Sequence, residues 1–159
     1  MLYLRESNTG DLALVLSWNS NATVQEGYFS LSKNPRPLTW EEHTEWWDST
    51  TSHWKKFMVI LVEDEIERPI GIVRISGLED FSPQIWFTIG EVSLWGKGYG
   101  YKVGKLALDW LKKKGYNHTH ISVLKSNKRA LDLLSKLGYT EYGEAREGEL
   151  WYQLKLATS

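Results

Sequence analysis

The chain has 159 residues, a net charge of -1 and no cysteine. That length suits one domain with a proper core, residues 1–159, and is short for two. Near-neutrality gives no whole-molecule field to attract nucleic acid or an anionic membrane, and the missing cysteine excludes disulfides, thiolate metal sites and a cysteine nucleophile. With no signal-like start and no apolar run long enough to span a bilayer, a cytoplasmic protein is expected.

Leu2–Arg5 reads as a short strand, and Thr9 or Asp11 as the cap of a helix through Leu12, Val15, Leu16 and Trp18 that breaks at Asn19–Asn21. Ala22–Leu38 holds Gly27-Tyr28-Phe29 and Pro35-Arg36-Pro37, which favour a loop with at most a short helix. Thr39 and Glu42 form a capping box for a helix that carries Trp46 and Trp47 and stops at Ser49–Ser52. Phe57–Val62 and Pro69–Ser76 are two runs of β-formers joined by the charged turn Glu63–Arg68, a hairpin. Gln84–Ile89 is the next strand.

The strand leads into Trp95-Gly96-Lys97-Gly98-Tyr99-Gly100, after which Val103, Leu106, Ala107, Trp110 and Leu111 recur at helical spacing. Alternate glycines permit positive φ and close backbone approach, and the helix that follows aims unpaired N–H groups and its positive dipole end at the turn. This is the physics of a phosphate cradle. It is not a P-loop, because the first lysine after Gly100 is Lys102, followed by Val103 rather than Ser or Thr. Nor is it a dinucleotide fingerprint: counting from Gly98 and Gly100 the third glycine position is Val103, and His118 and His120 fall where an acid belongs. Ile121–Tyr139 then reads as strand, Ser-Asn cap and a helix with Ala130, Leu131, Leu133, Leu134 and Leu137 inward, ended by Gly138. Tyr142 and Leu150–Leu156 suggest two last strands around a Gly148 turn.

The frame Trp95, Gly98, Gly100 resembles the pyrophosphate loop of the GNAT superfamily of acetyl-CoA-dependent N-acetyltransferases, with Trp95 in place of the usual Arg or Gln. Asn127, Ala130 and Leu137-Gly138-Tyr139 match its second motif in order and separation, and the WGKGYG form is similar to the branch that acylates ribosomal proteins, aminoglycosides and amino sugars. The resemblance covers about residues 2–157 and implies an α/β GNAT fold: a mixed, mostly antiparallel sheet splayed after the fourth strand, with helices on both faces. Acetyl-CoA is then the acetyl donor and no metal is needed. The implied cofactor contacts are Val92, Trp95, Gly96, Lys97, Gly98, Tyr99, Gly100, Tyr101, Asn127 and Arg129. Gly90 marks where the splay begins, leaving backbone groups to pair with the pantetheine amides.

An amine must lose a proton before it attacks a thioester, so the site needs a proton acceptor; Glu91 is the acid nearest the splay, and the Val92 N–H is the candidate oxyanion donor. Many relatives have a tyrosine seven residues after the motif asparagine as the acid for the leaving thiolate. Here that position is Leu134, which leaves Tyr139, Ser126 or water. Asn127 is expected to combine helix capping with a contact to the pantetheine arm or a water.

The first two helices and their connection form the acceptor side in this superfamily, and here they are rich in aromatic residues: Trp18, Tyr28, Phe29, Trp40, Trp46, Trp47 and Trp54. LTWEEHTEWW, with Trp18-Asn19 and Val24, resembles enzymes that acetylate nucleotide-linked 4-amino hexoses, as in pseudaminic acid synthesis. Tyr28, Phe29, His43 and Trp47 are the implied substrate contacts. The expected activity is transfer of acetyl to a primary amine of a small molecule, an amino sugar or nucleotide-linked amino sugar, by a monomer or homodimer without nucleic-acid or membrane partners. Two alternatives stand beside it: acetylation of protein N-termini, and a non-catalytic acyl-CoA sensor of the same fold.

Overall fold

The computed structural model describes residues 1–21, 23–24, 39–51, 54–145 and 147–156. Its seven strands, β1 (Leu2–Glu6), β2 (Lys55–Glu63), β3 (Ile66–Ser76), β4 (Gln84–Ile89), β5 (His118–Leu124), β6 (Thr140–Glu144) and β7 (Glu149–Lys155), make one sheet in the order β1-β2-β3-β4-β5-β7-β6. Every neighbouring pair is antiparallel except β4 and β5. Those two run parallel and meet through Gln84 and His120, beyond which β4 continues toward Ile89 with no partner on that side.

Four helices cover the sheet among the described residues: α1 (Leu12–Asn19), α2 (Trp40–Thr51), α3 (Tyr99–Lys113) and α4 (Lys128–Leu137). Alternation along the strands sorts them. Met58, Ile60 and Ile72 meet Leu12, Val15, Trp18 and Trp47 on the face of α1 and α2. Val59, Leu61 and Val73 point the other way, into the larger core with Val103, Ala107, Leu111 and Leu134. None of the helices among the described residues is long and apolar enough to cross a membrane.

The local signals act largely as the residues suggest. Thr39 Oγ1 accepts from the Glu42 N–H at 3.1 Å, Asn127 Oδ1 accepts from the Ala130 N–H at 3.2 Å, and Gly138 ends α4 at φ 98°. Asp11 stands at the N-cap of α1 without a side-chain cap bond, and the side-chain cap comes one turn earlier, where Asn8 accepts from the Gly10 N–H at the start of a 3-10 turn, Thr9–Asp11. Asp11 instead reaches back to the Asn8 N–H and to Arg5. The inward face of α3 includes Gly104 and Leu108, with Leu106 and Trp110 only half-buried, because the helix packs against α4 as well as the sheet.

The hairpin is tighter than its sequence suggests. β2 and β3 extend to Glu63 and Ile66, leaving only Asp64 and Glu65 in the turn, at φ 51° and 64°. Two consecutive positive φ values mark the turn that Asn-Gly favours, and neither Asp nor Glu is relaxed there. We expect Asp64→Asn with Glu65→Gly to raise the unfolding free energy by about 1 kcal/mol, measured by urea denaturation.

Candidate functional site

The splay starts just past Gln84 and His120 and is widest at the other end of β4, where β3 carries a bulge. Val59 faces Gly71 while Ile60 faces Pro69, so Ile70 is the extra residue, and proline sits where a missing N–H costs no ladder bond. The Ile70 carbonyl accepts from the N–H of Gly90 at 2.8 Å and from that of Glu91 at 3.4 Å. β4 therefore follows β3 at its end and leaves β5. Alternation along the β3–β4 ladder turns the N–H and C=O groups of Phe87 and Ile89 toward the opening.

Two expectations change here. The Gly90 N–H is already bonded, so it is not available to a ligand. Gly90 is glycine for a different reason: a Cβ there would lie 2.1 Å from the Trp18 ring. Trp18, 5% exposed at the end of α1, lays its indole on the end of β4 and donates from Nε1 to Glu91 Oε1 at 3.2 Å. The Ile89 carbonyl is also engaged, by the Trp95 indole N–H at 2.8 Å. The open edge thus keeps both groups of Phe87 and the N–H of Ile89.

After Glu91 the chain makes a 3-10 turn, Val92–Leu94, whose own bonds leave the Val92 N–H without an acceptor. Leu94 anchors this turn in the core. Gly96 and Gly98 then take φ 79° and 82°, and a Cβ at either would meet nothing within 4 Å. Gly98 is the N-cap of α3 and no side-chain oxygen closes that end, so the first-turn amides of Tyr99, Gly100 and Tyr101 are left to an outside acceptor. The start of α4 lies alongside. The Arg129 guanidinium sits 4.7 Å from the centroid of the Trp95 ring, and Gly100 approaches the Leu133 side chain. Loop amides, Lys97, Lys102 and Arg129 make this mouth positive, as an anion requires. Asn127 stands at the same helix start, its Oδ1 already occupied in capping.

The acceptor-side residues fare differently. Tyr28 and Phe29 lie outside the described residues. His43 and Trp47, four apart on α2, share its inward stripe and are 1% and 4% exposed. His43 pairs with Asn19, Nε2 to Nδ2 at 3.3 Å, which ties α2 to the end of α1. Burial, with the Lys56 charge nearby, holds the imidazole pKa below its usual range. Trp46 has its own explanation: with Trp54 it flanks the buried Arg74 guanidinium, each ring centroid 5.0 Å away. Tyr139 is buried in the larger core, where desolvation pushes its pKa up to about 12, so it is withdrawn as an acid for a thiolate. Leu134 is buried in the same core. What the sequence did not disclose is the Trp18–Glu91 contact; the signal was Gly90, since glycine in a strand marks close approach as well as a bulge.

A cavity of about 440 Å³ lies at the far end of the strands, lined in part by Asn8, Trp47, Trp54 and Lys56, and it is remote from the splay. Lys56 Nζ there donates to the Trp47 carbonyl at 2.9 Å and lies 4.3 Å from the Trp47 ring centroid. Burial pushes its pKa down to about 8, against the pull of Asp48. A lysine depressed in the folded state binds fewer protons than in the unfolded one between its two pKa values, so stability rises with pH across that window. Relative to Lys56→Met, the wild-type chain should gain on the order of 1–3 kcal/mol between about pH 8 and pH 10.5, read from urea melts at each pH.

Comparison with known proteins agrees with this architecture. Residues 1–140 match the family described as acetyltransferase (GNAT) domain. A solved domain from Methanocaldococcus jannaschii superposes with a TM-score of 0.90 at 35% identity, covering 98% of this chain and 99% of that one. An uncharacterized protein of the same organism is 35% identical over 155 residues, and this chain spans only 31% of its length. Spermidine N-acetyltransferase from Vibrio cholerae, solved with CoA and spermine, and an aminoglycoside acetyltransferase solved with coenzyme A each give a TM-score of 0.81 at 19% identity, over 98% of this chain and 95% of theirs. At that identity the two share its fold.

Proposed function

The chain belongs to the GNAT acetyltransferase family, and from that premise we propose that it transfers acetyl from acetyl-CoA to a primary amine of a small molecule. The observation that carries this is the uncapped start of α3 beside the gap between β4 and β5. The free amides of Tyr99, Gly100 and Tyr101 and the side chain of Lys97 suit a diphosphate, and the Phe87 and Ile89 groups offer a strand-like edge to the amides of a pantetheine arm. Acetyl-CoA, when bound, supplies an electrophilic thioester carbonyl. Glu91 accepts the amine proton, directly or through a water, as the nitrogen attacks. The Val92 N–H donates to the carbonyl oxygen as negative charge builds on it. With Leu134 and Tyr139 both in the core, the exposed Ser126 or water is left to return a proton to the thiolate.

The family comparisons support small amines as a class, since the solved neighbours named for spermidine and aminoglycosides share the fold. Within that class we favour an amino sugar or nucleotide-linked amino sugar, from the aromatic residues of the acceptor side; Trp40, 49% exposed at the start of α2, is a ring free to stack on a sugar. The buried Leu134 also suits an acyl-CoA sensor without turnover, which the same assay separates.

Acetyl-CoA at 100 times its dissociation constant should stabilise the chain by about 2.7 kcal/mol, and Gly98→Ala, which forces a side chain into φ 82°, should shrink that thermal shift markedly. No shift in the wild type would discard the cofactor site. Thiol release should be followed over spermidine, kanamycin, glucosamine and a nucleotide-linked 4-amino hexose. Turnover on any of them well above hydrolysis excludes the sensor, and the fastest names the acceptor class. Glu91→Gln should lower kcat at pH 7 about 100-fold, the loss shrinking near pH 10 where the amine is already deprotonated; an unchanged rate at pH 7 removes Glu91 from the mechanism.

A further inference from the structure

We infer that Trp18 is the positioning residue of the transfer reaction: its indole N–H fixes the Glu91 carboxylate at the mouth of the splay. The inference rests on the reading of Glu91 as proton acceptor. Glu91 follows the last strand residue by two positions, at the start of an irregular segment, and its own helical turn gives its side chain no hydrogen bond. Left to itself such a side chain samples several rotamers in solvent. The contact that selects one of them comes from 73 residues earlier in the chain, Trp18 Nε1 to Glu91 Oε1 at 3.2 Å.

Three observations make this more than an incidental contact. The indole is 5% exposed, so its N–H needs a partner inside the protein, and Glu91 is the one it has. The ring lies directly over Gly90, where even a methyl group would collide with Cδ2, Cγ and Cε2 at 2.1 to 2.5 Å. The sequence therefore gives up a side chain next to the proposed base in order to admit this ring. Third, the end of α1 is pinned independently: Asn19, buried beside Trp18, pairs with His43 on α2. Trp18 is thus a rigid arm on a fixed base, and Glu91 is held by its tip.

A phenylalanine would fill most of the same space and cover Gly90, but it has no N–H to offer. Trp18→Phe should therefore lower kcat at pH 7 by about 10- to 100-fold while leaving KM for acetyl-CoA within about twofold, because the cofactor loop is not touched. The deficit should shrink toward pH 10, as for Glu91→Gln. The double variant Trp18→Phe with Glu91→Gln should be no slower than Glu91→Gln alone, since the arm then has no base to hold.

The measurement is thiol release with spermidine, kanamycin and glucosamine, using the fastest of the three, at pH 7 and pH 10. A Trp18→Phe rate within about twofold of wild type, or a loss that multiplies onto that of Glu91→Gln, overturns the inference while leaving Glu91 as the base. A wild-type rate in Glu91→Gln overturns the base itself, and this inference with it. Should Trp18→Phe fail to fold, Glu91→Asp decides: one methylene shorter and half-exposed, it folds but cannot keep the contact, and a rate near wild type would count against the arm. Independently of any acceptor, the indole N–H resonance of Trp18 should move in Glu91→Ala while those of the other eight tryptophans stay in place. An unmoved signal would mean the contact is not made in solution.

Discussion

The mouth of the opening between β4 and β5 is held in place by one carbonyl. Ile70, the extra residue of the β3 bulge, accepts from two successive amides, Gly90 and Glu91, and so draws the end of β4 toward β3. A regular strand would have continued its pairing with β5 past Gln84 and His120 and closed the sheet. A bulge strengthens local twist, and this one, irregular only toward β2, lets the β3–β4 register run one step past Gly71 and Ile89 to the Gly90 amide. The edge at Phe87 is left open where β5 parts from β4, and the turn that carries Val92 starts from the two amides that Ile70 holds.

Two indoles meet the end of β4 at adjacent residues. Trp95 closes the Ile89 carbonyl from the loop side, and Trp18 covers Gly90 from the helix side. Each tryptophan combines a large apolar ring with a single donor, and each uses the ring for packing and the donor for orientation. The same pairing of aromatic mass with polar contact recurs under α2, where Trp46, Trp47 and Trp54 surround the buried Lys56 and Arg74. Much of the unusual tryptophan content thus goes into holding charged and polar groups at fixed places.

Much of this was legible in the residues. The element order, the glycine turn and the caps at Thr39, Asn127 and Gly138 are local, written within a few neighbours, and they appear in the structure where the sequence puts them. What was not legible is non-local. That Trp18 reaches Glu91, and that Gly90 is small for the sake of a ring on another element, depends on how α1 lies across the sheet. His43 and Trp47 share a helical stripe, yet spacing alone does not say whether the stripe faces a core or a cleft. The hairpin tip was obscured because its strands run beyond the core, where exposed Glu63–Arg68 carry no apolar alternation.

At Gly104 the backbone of α3 passes so close to Leu137 of α4 that an added methyl would lie 2.7 Å from Cδ1. The helix that presents the loop amides and the helix that presents Asn127 and Arg129 are therefore meshed like two gears. A side chain at 104 would have to turn the Leu137 branches aside, so the spacing of the two helix starts rests on a glycine one turn along α3.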